Sequence, residues 1–157
     1  MDKCFPQRKN PRLKEFDYSS PQVYFLTTCT RDKHLFFTPD ELNRKIISCL
    51  EQERGRLNYL IFCYCLMPDH LHLLLQPTNN GIPTAQIMGS IKGKTTRICW
   101  EYSLAGKIWQ GRFYDHILRK EESISKIIEY ILNNPVRRSL AGHWQDYPYC
   151  GIIDPIT

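Results

Sequence analysis

Residues 23–30 (VYFLTTCT) are rich in β-branched and aromatic side chains, which suit a pleated, half-buried surface, so this segment is predicted as a strand. From Pro39-Asp40 the period changes. Leu42, Ile46, Ile47 and Leu50 fall on one face of a helix that runs toward Gly55. Residues 59–67 are a strand-length apolar run, Pro68-Asp69 makes a tight turn, and residues 70–76 form a third strand paired back on the second. Asn79-Asn80-Gly81 interrupts the pattern. Residues 85–102 return to helical spacing through Ile87, Met88, Ile91 and Ile98, and Gly106 ends the loop that follows. Residues 108–119 contain an extended strand. Residues 121–134 form a last helix with Ile124, Ile127, Ile128 and Ile131 in one stripe, stopped by Pro135, which has no N–H to donate. Residues 143–157 hold aromatics and prolines with little periodicity.

The predicted order is β-α-β-β-α-β-α. Its first six elements match a ferredoxin-like split βαβ core, an antiparallel sheet with helices on one face, and the fold class is α+β. The additional C-terminal helix, which carries Tyr130, must pack elsewhere. The division is a basic N-terminal arm at 1–20, one domain at 21–142 and a C-terminal tail at 143–157, with no internal repeat.

Composition narrows the classes. With 157 residues, 42% hydrophobic and 24% charged, the chain suits one soluble globular domain. No window holds the ~18 uninterrupted apolar residues of a spanning helix. Residues 1–11 are basic and polar with no apolar stretch, so no secretory signal is expected and the expected location is the cytoplasm, near the nucleoid. Lys plus Arg is 21 and Asp plus Glu is 16, giving +5, a moderate excess that suits a polyanionic partner and equally suits a solvated surface. The excess is uneven: Lys3, Arg8, Lys9, Arg12 and Lys14 crowd the start, Lys92, Lys94 and Arg97 lie together, and Arg137-Arg138 follow the last helix. The seven cysteines (Cys4, Cys29, Cys49, Cys63, Cys65, Cys99 and Cys150) include no C-x-x-C pair and read as buried free thiols.

The sharpest local feature is Pro68-Asp69-His70-Leu71-His72-Leu73-Leu74-Leu75. Alternation puts His70 and His72 on one strand face about 7 Å apart, with Leu71, Leu73 and Leu75 on the other. Two imidazoles on a rigid strand can serve one cation, and a polar pair in an apolar strand needs a reason. In the last helix, Tyr130 and Asn134 are one turn apart, about 40° around the axis. The plain readings are hydrogen-bonded histidines, a buried tyrosine ring and an asparagine that ends a helix. The functional reading is a phenol nucleophile and an amide oxygen beside a metal shared with the histidines. A divalent ion there would polarise a phosphodiester, and tyrosine attack on phosphorus would give a covalent phosphotyrosine that preserves the bond energy for strand transfer.

MPDHLHLLLQP resembles the His-hydrophobic-His motif of the HUH single-strand endonucleases. WQGRFYDHILR and YILNNPVRRSL resemble the later motifs of single-tyrosine insertion-sequence transposases, and the Asn-Pro-Val-Arg ending is most similar to the REP-associated tyrosine transposases. The resemblance spans residues 24–151. It implies that His70, His72 and Asn134 hold Mg2+ or Mn2+, Asn134 standing where relatives often carry a longer glutamine. It implies that Tyr130 is the nucleophile and that the substrate is single-stranded DNA beside a hairpin. By the same analogy Arg8, Lys9 and Arg12 contribute to DNA recognition. Both a monomer acting in cis and a homodimer with exchanged tyrosine helices are compatible with it.

Several residues are secondary candidates for DNA contact. Trp109 and Arg112 mix stacking and charge, Lys92, Lys94 and Arg97 could track a hairpin backbone, and Arg137 follows the tyrosine helix. His116 is a candidate third imidazole near the site, and Asp69 is read as a turn residue. Two other classes compete: a hairpin-binding module without catalysis, and a metal hydrolase of small phosphoesters. The latter lacks H-E-x-x-H and any carboxylate cluster.

Overall fold

The computed structural model describes Tyr18 and residues 21–78 and 82–156. Arg8, Lys9 and Arg12 lie outside the described residues, as does the Asn79-Asn80-Gly81 break. The described chain folds as a five-stranded antiparallel sheet in the order β4-β1-β3-β2-β5. The strands are β1 (Tyr24–Cys29), β2 (Tyr59–Met67), β3 (His70–Pro77), β4 (Tyr114–Ile117) and β5 (Cys150–Ile152). The helices are α1 (Asp40–Leu57), α2 (Thr84–Glu101), α3 (Ile124–Leu132) and α4 (Asn134–Arg137). The first four strands follow the expected ferredoxin-like arrangement. The fifth comes from the segment that looked aperiodic: Cys150 pairs with Cys65 and Ile152 with Cys63 at the outer edge of β2. Three residues are too few to show a period, which is why the strand is silent in the sequence.

Two cores sit on the two faces of the sheet. Leu71, Leu73 and Leu75 of β3, with Tyr24 and Leu26 of β1, pack against Leu42, Ile46 and Leu50 of α1 and Ile87, Met88 and Ile91 of α2. On the other face Phe25, Cys63, Cys65, Met67 and Leu74 pack against Ile131 and Leu132 of α3, with Ile124, Ile127 and Ile128 partly buried there. A bulge between Ile61 and Cys63 resets the alternation of β2. It carries Phe62, Cys63, Cys65 and Met67 to the α3 face while Ile61, Tyr64 and Leu66 keep to the other.

Local chemistry sets the helix limits. Asp40 and Glu41 open α1 and Arg54 and Arg56 close it, each favourable to the helix dipole, and Asn58 ends it in the left-handed region at φ 54°. Ser123 caps α3 by accepting from the Lys126 N–H at 3.4 Å. The last helix is predicted to run unbroken to Asn134, but α3 ends at Leu132 and α4 begins at Asn134. Pro135 cannot extend the hydrogen-bond ladder, yet it is tolerated in the first turn of a new helix. The break detaches Asn134 from the tyrosine helix.

Between α1 and α2 lies a buried carboxylate. Glu53 is 1% exposed and accepts from Arg56 (2.9 and 2.8 Å), Ser90 and Lys94. The Arg56 hydrogen bonds are the main reason its pKa falls from 4.5 to about 2; burial opposes them, and Lys94 and Ser90 add to them. A depressed pKa contributes stability above the unfolded value that is lost as pH falls through the folded one. Glu53 should therefore stabilise the fold fully above pH 4.5, with the contribution fading toward pH 2. Glu53→Gln should lower unfolding free energy at pH 7 by about 2 kcal/mol, less than for a fully enclosed pair because Arg56 and Lys94 keep contact with water. Urea unfolding of both proteins at pH 7 and pH 3 measures this, and the gap between them should narrow at pH 3.

Candidate active site

Strand β3 runs between β1 and β2, so each of its residues from His70 to Leu75 has a neighbour on β1 as well as the β2 strand on its other side. His72 stands opposite Thr27 and Cys65, and His70 opposite Cys29 and Met67. Both imidazoles lie on the α3 face and are buried, at 4% and 5% exposure. Their rings sit 4.6 Å apart, and the two Nε2 atoms approach to 3.1 Å.

The outer nitrogens are held from behind. The Asp69 carboxylate meets His70 Nδ1 at 2.6 Å. Burial is the largest influence on Asp69 and would raise its pKa, but the hydrogen bond with His70 and the nearby charges of Arg138 and Lys33 together hold it below the usual carboxylate range. An ionised Asp69 takes the Nδ1 proton of His70 as its donor, which leaves the lone pair of His70 on Nε2. Thr27 Oγ1 meets His72 Nδ1 at 2.7 Å. Burial drives the His72 pKa well below its ordinary value, and His70, Arg137 and Arg138 push the same way, so this ring is neutral. A hydroxyl can donate or accept, so Thr27 tolerates either tautomer. With the proton on Nε2, His72 donates to His70. With it on Nδ1, both Nε2 lone pairs face the same point.

That second arrangement fits a cation. Two nitrogens about 2.1 Å from one ion and close to a right angle apart are separated by about 3 Å, which the 3.1 Å spacing matches. Asn134, 6% exposed, brings its amide within 3.4 Å of His70 Nε2 through Nδ2, and a half-turn of the amide presents Oδ1 there instead. No group of three or more His, Cys, Asp or Glu that could hold a metal occurs among the described residues. Here the third donor would be an amide.

Tyr130 projects from α3 toward the same place. Its ring centroid lies 6.3 Å from that of His72 and 6.2 Å from that of Phe25, both edge-on. Arg137 covers its open side, with the guanidinium carbon 4.0 Å from the ring centroid and a 2.9 Å hydrogen bond from Nη2 to the Tyr130 carbonyl. The Tyr130 ring, the paired imidazoles and the Asn134 amide thus lie on the same face within one chain.

The secondary candidates divide. Trp109 is 3% exposed, packs at 4.9 Å on Phe37 and donates from Nε1 to Thr95 Oγ1 at 2.9 Å. Its ring belongs to the core, which removes it as a stacking surface. Lys94 is engaged by Glu53, so its charge is already matched. Lys92 donates to the carbonyls of Gln110 and Arg112 at 2.8 and 3.1 Å. Burial, with help from Lys107, lowers its pKa to about 8. Arg97 and Arg112 are exposed. His116 pairs with Glu122 at 2.9 Å instead of joining the two histidines. The sequence reading missed two contributors. Asp69 orients His70 as well as making the turn, and Thr27 holds His72 from a strand far away in the chain. Position beside His70 could have flagged the first, whereas the second needed the β1–β3 register.

Comparisons with known proteins place the fold in a family. The chain matches the family model described as "Transposase IS200 like" over residues 19–134. It belongs to the IS200-like transposase family. It is 23% identical over 134 residues to an Escherichia coli protein named REP-associated tyrosine transposase, covering 84% of this chain and 77% of that one. It is 27% identical over 143 residues to a Haemophilus influenzae protein provisionally given the same name, covering 85% and 81%. Among solved structures, a REP-associated tyrosine transposase bound to a REP hairpin has the same fold, with a TM-score of 0.70 at 21% identity over 88% of this chain and 82% of that one. No helix among the described residues is long and apolar enough to cross a membrane.

If the histidine pair takes up a metal and Asp69 fixes the tautomer of His70, loss of Asp69 should weaken that uptake without unfolding the protein. Asp69→Asn should lower Mn2+ affinity about 10- to 100-fold, measured by titration calorimetry, with a melting temperature close to that of the parent.

Proposed function

We propose that this transposase is a metal-dependent single-strand DNA endonuclease and strand transferase that cuts beside DNA hairpins through a 5′-phosphotyrosine on Tyr130. The observation that carries the reading is the convergence, inside one chain, of the Tyr130 ring on the His70–His72 pair, with the two Nε2 atoms 3.1 Å apart. A phenol next to paired imidazoles suits phosphoryl transfer to tyrosine.

His70 and His72 would hold Mg2+ or Mn2+ through Nε2, with Asn134 adding its amide oxygen. The bound ion supplies Lewis-acid polarisation of the phosphate and a counter-charge for the transition state. The chain's own residues do the rest. Asp69 and Thr27 hold the imidazoles in register. Phe25 and Arg137 hold the Tyr130 ring from its edge and its face. The Tyr130 oxygen attacks phosphorus, the bond from phosphorus to the 3′ oxygen breaks, and the phenolic proton passes by way of solvent to the departing 3′-hydroxyl. Attack by a second 3′-hydroxyl on the phosphotyrosine reverses the step and joins the strands. The in-chain geometry favours action in cis. Hairpin DNA is the substrate proposed because one relative of the same fold is bound to a REP hairpin.

A hairpin oligonucleotide with a single-stranded extension should give a covalent adduct that survives denaturing electrophoresis. The adduct should vanish with EDTA and in Tyr130→Phe, a loss of at least a hundredfold in yield. An equal yield from the Phe variant overturns the assignment of the nucleophile. Tight hairpin binding with no adduct from the parent protein points instead to a binding module without catalysis.

A further inference from the structure

A groove of about 500 Å³ lies along α2, on the sheet face opposite the histidine pair, with residues 106–111 as its far wall. Its polar lining is one-sided. Lys92, Arg97 and Lys107 line it, and no acidic residue does among the described residues. Arg97 and Lys107 are exposed, and Lys107 lies close enough to Lys92 to disfavour its charge. Cations gathered without a counter-charge are costly unless an anion joins them.

The groove also holds an aromatic surface that the sequence reading passed over. Trp100 is 52% exposed, far more than a tryptophan placed for packing, and its Nε1 donates to the Gly106 carbonyl at 2.9 Å. That hydrogen bond fixes the ring at the groove's side while leaving it open to solvent. Gly93 and Gly106 have open space where side chains would stand, so a ligand can approach the backbone closely. The wall is tied to the histidine site through the end of β1: the Gln110 N–H donates to the Cys29 carbonyl at 2.9 Å, and Cys29 pairs with His70.

We propose that this groove is a second nucleic-acid subsite, distinct from the scissile position, that holds a strand by its phosphates on Arg97 and Lys107 and stacks one base on Trp100. Cationic side chains tracking a backbone, with an aromatic plane for a base, are the parts that sequence-tolerant strand binding uses. The proposal rests on the reading that this chain acts on DNA, and it adds where the DNA beyond the cut is held.

The test is binding of a fluorescein-labelled hairpin with a single-stranded extension to the full chain, followed by anisotropy across a salt series. Trp100→Ala should raise Kd about tenfold, within the range for one stacked base. The Arg97→Gln, Lys107→Gln double variant should flatten the dependence of log K on log salt by about 1.4, the value for two contacts to a single strand. All the altered side chains are exposed, so melting temperatures should stay near that of the parent. Tyr130→Phe should keep the parent's affinity while losing the adduct. Parent-like Kd and salt dependence in both groove variants, from a protein that still forms the adduct, overturn the groove alone. Trp100-dependent binding without any adduct supports the groove and overturns the catalytic reading alone. Polyglutamate competing as well as an oligonucleotide of equal charge, with no effect of Trp100→Ala, overturns the subsite in favour of an acidic protein partner.

Discussion

The site depends on the central position of β3. A strand with a neighbour on each side cannot slip or rotate, so its two imidazoles are fixed on the α3 face of the sheet. Everything else in the site attaches to that fixed pair. Thr27 reaches His72 because β1 lies in register with β3, and Asp69 reaches His70 because the β2–β3 turn is tight. Burial then keeps His72 neutral, the state in which a ring nitrogen can offer a lone pair. A one-residue slip would turn both histidines into the α1–α2 core and put leucines beneath Tyr130.

The two faces of the sheet carry different burdens. One packs α1 and α2 into a large apolar core, where the buried carboxylate of Glu53 is matched by Arg56, Lys94 and Ser90. The other holds α3 and α4 over the polar pair, with a smaller apolar cluster around it. Rigidity comes from the first face and chemistry from the second. The Pro135 break serves the second face. A continuous helix would have carried Asn134 onward along the α3 axis, whereas the restart as α4 sets its amide 3.4 Å from His70.

The same separation explains why the charged candidates fared unevenly. Lys92, Lys94 and Arg97 lie within six residues on one helix, but helical geometry sends them to different environments: a carbonyl cluster, a buried carboxylate and open solvent. Trp100 and Trp109 exchange the roles that their flanking residues suggest. Trp109 sits among polar and basic neighbours yet is buried against Phe37, while Trp100 closes an amphipathic helix yet faces out.

Strand alternation alone made the His70–His72 face legible, because period two is a property of an extended backbone wherever it lies. Helical spacing likewise exposed the apolar stripes of α1, α2 and α3, and turn chemistry at Pro68-Asp69 gave the β2–β3 hairpin. These signals are local and survive without knowledge of neighbours. The partnership of Thr27 with His72, the strand at Cys150–Ile152, the approach of Tyr130 to the histidines and the burial of Trp109 were decided only by tertiary structure. Each is a contact between segments far apart in the chain, and no local period encodes which distant segment a side chain will meet.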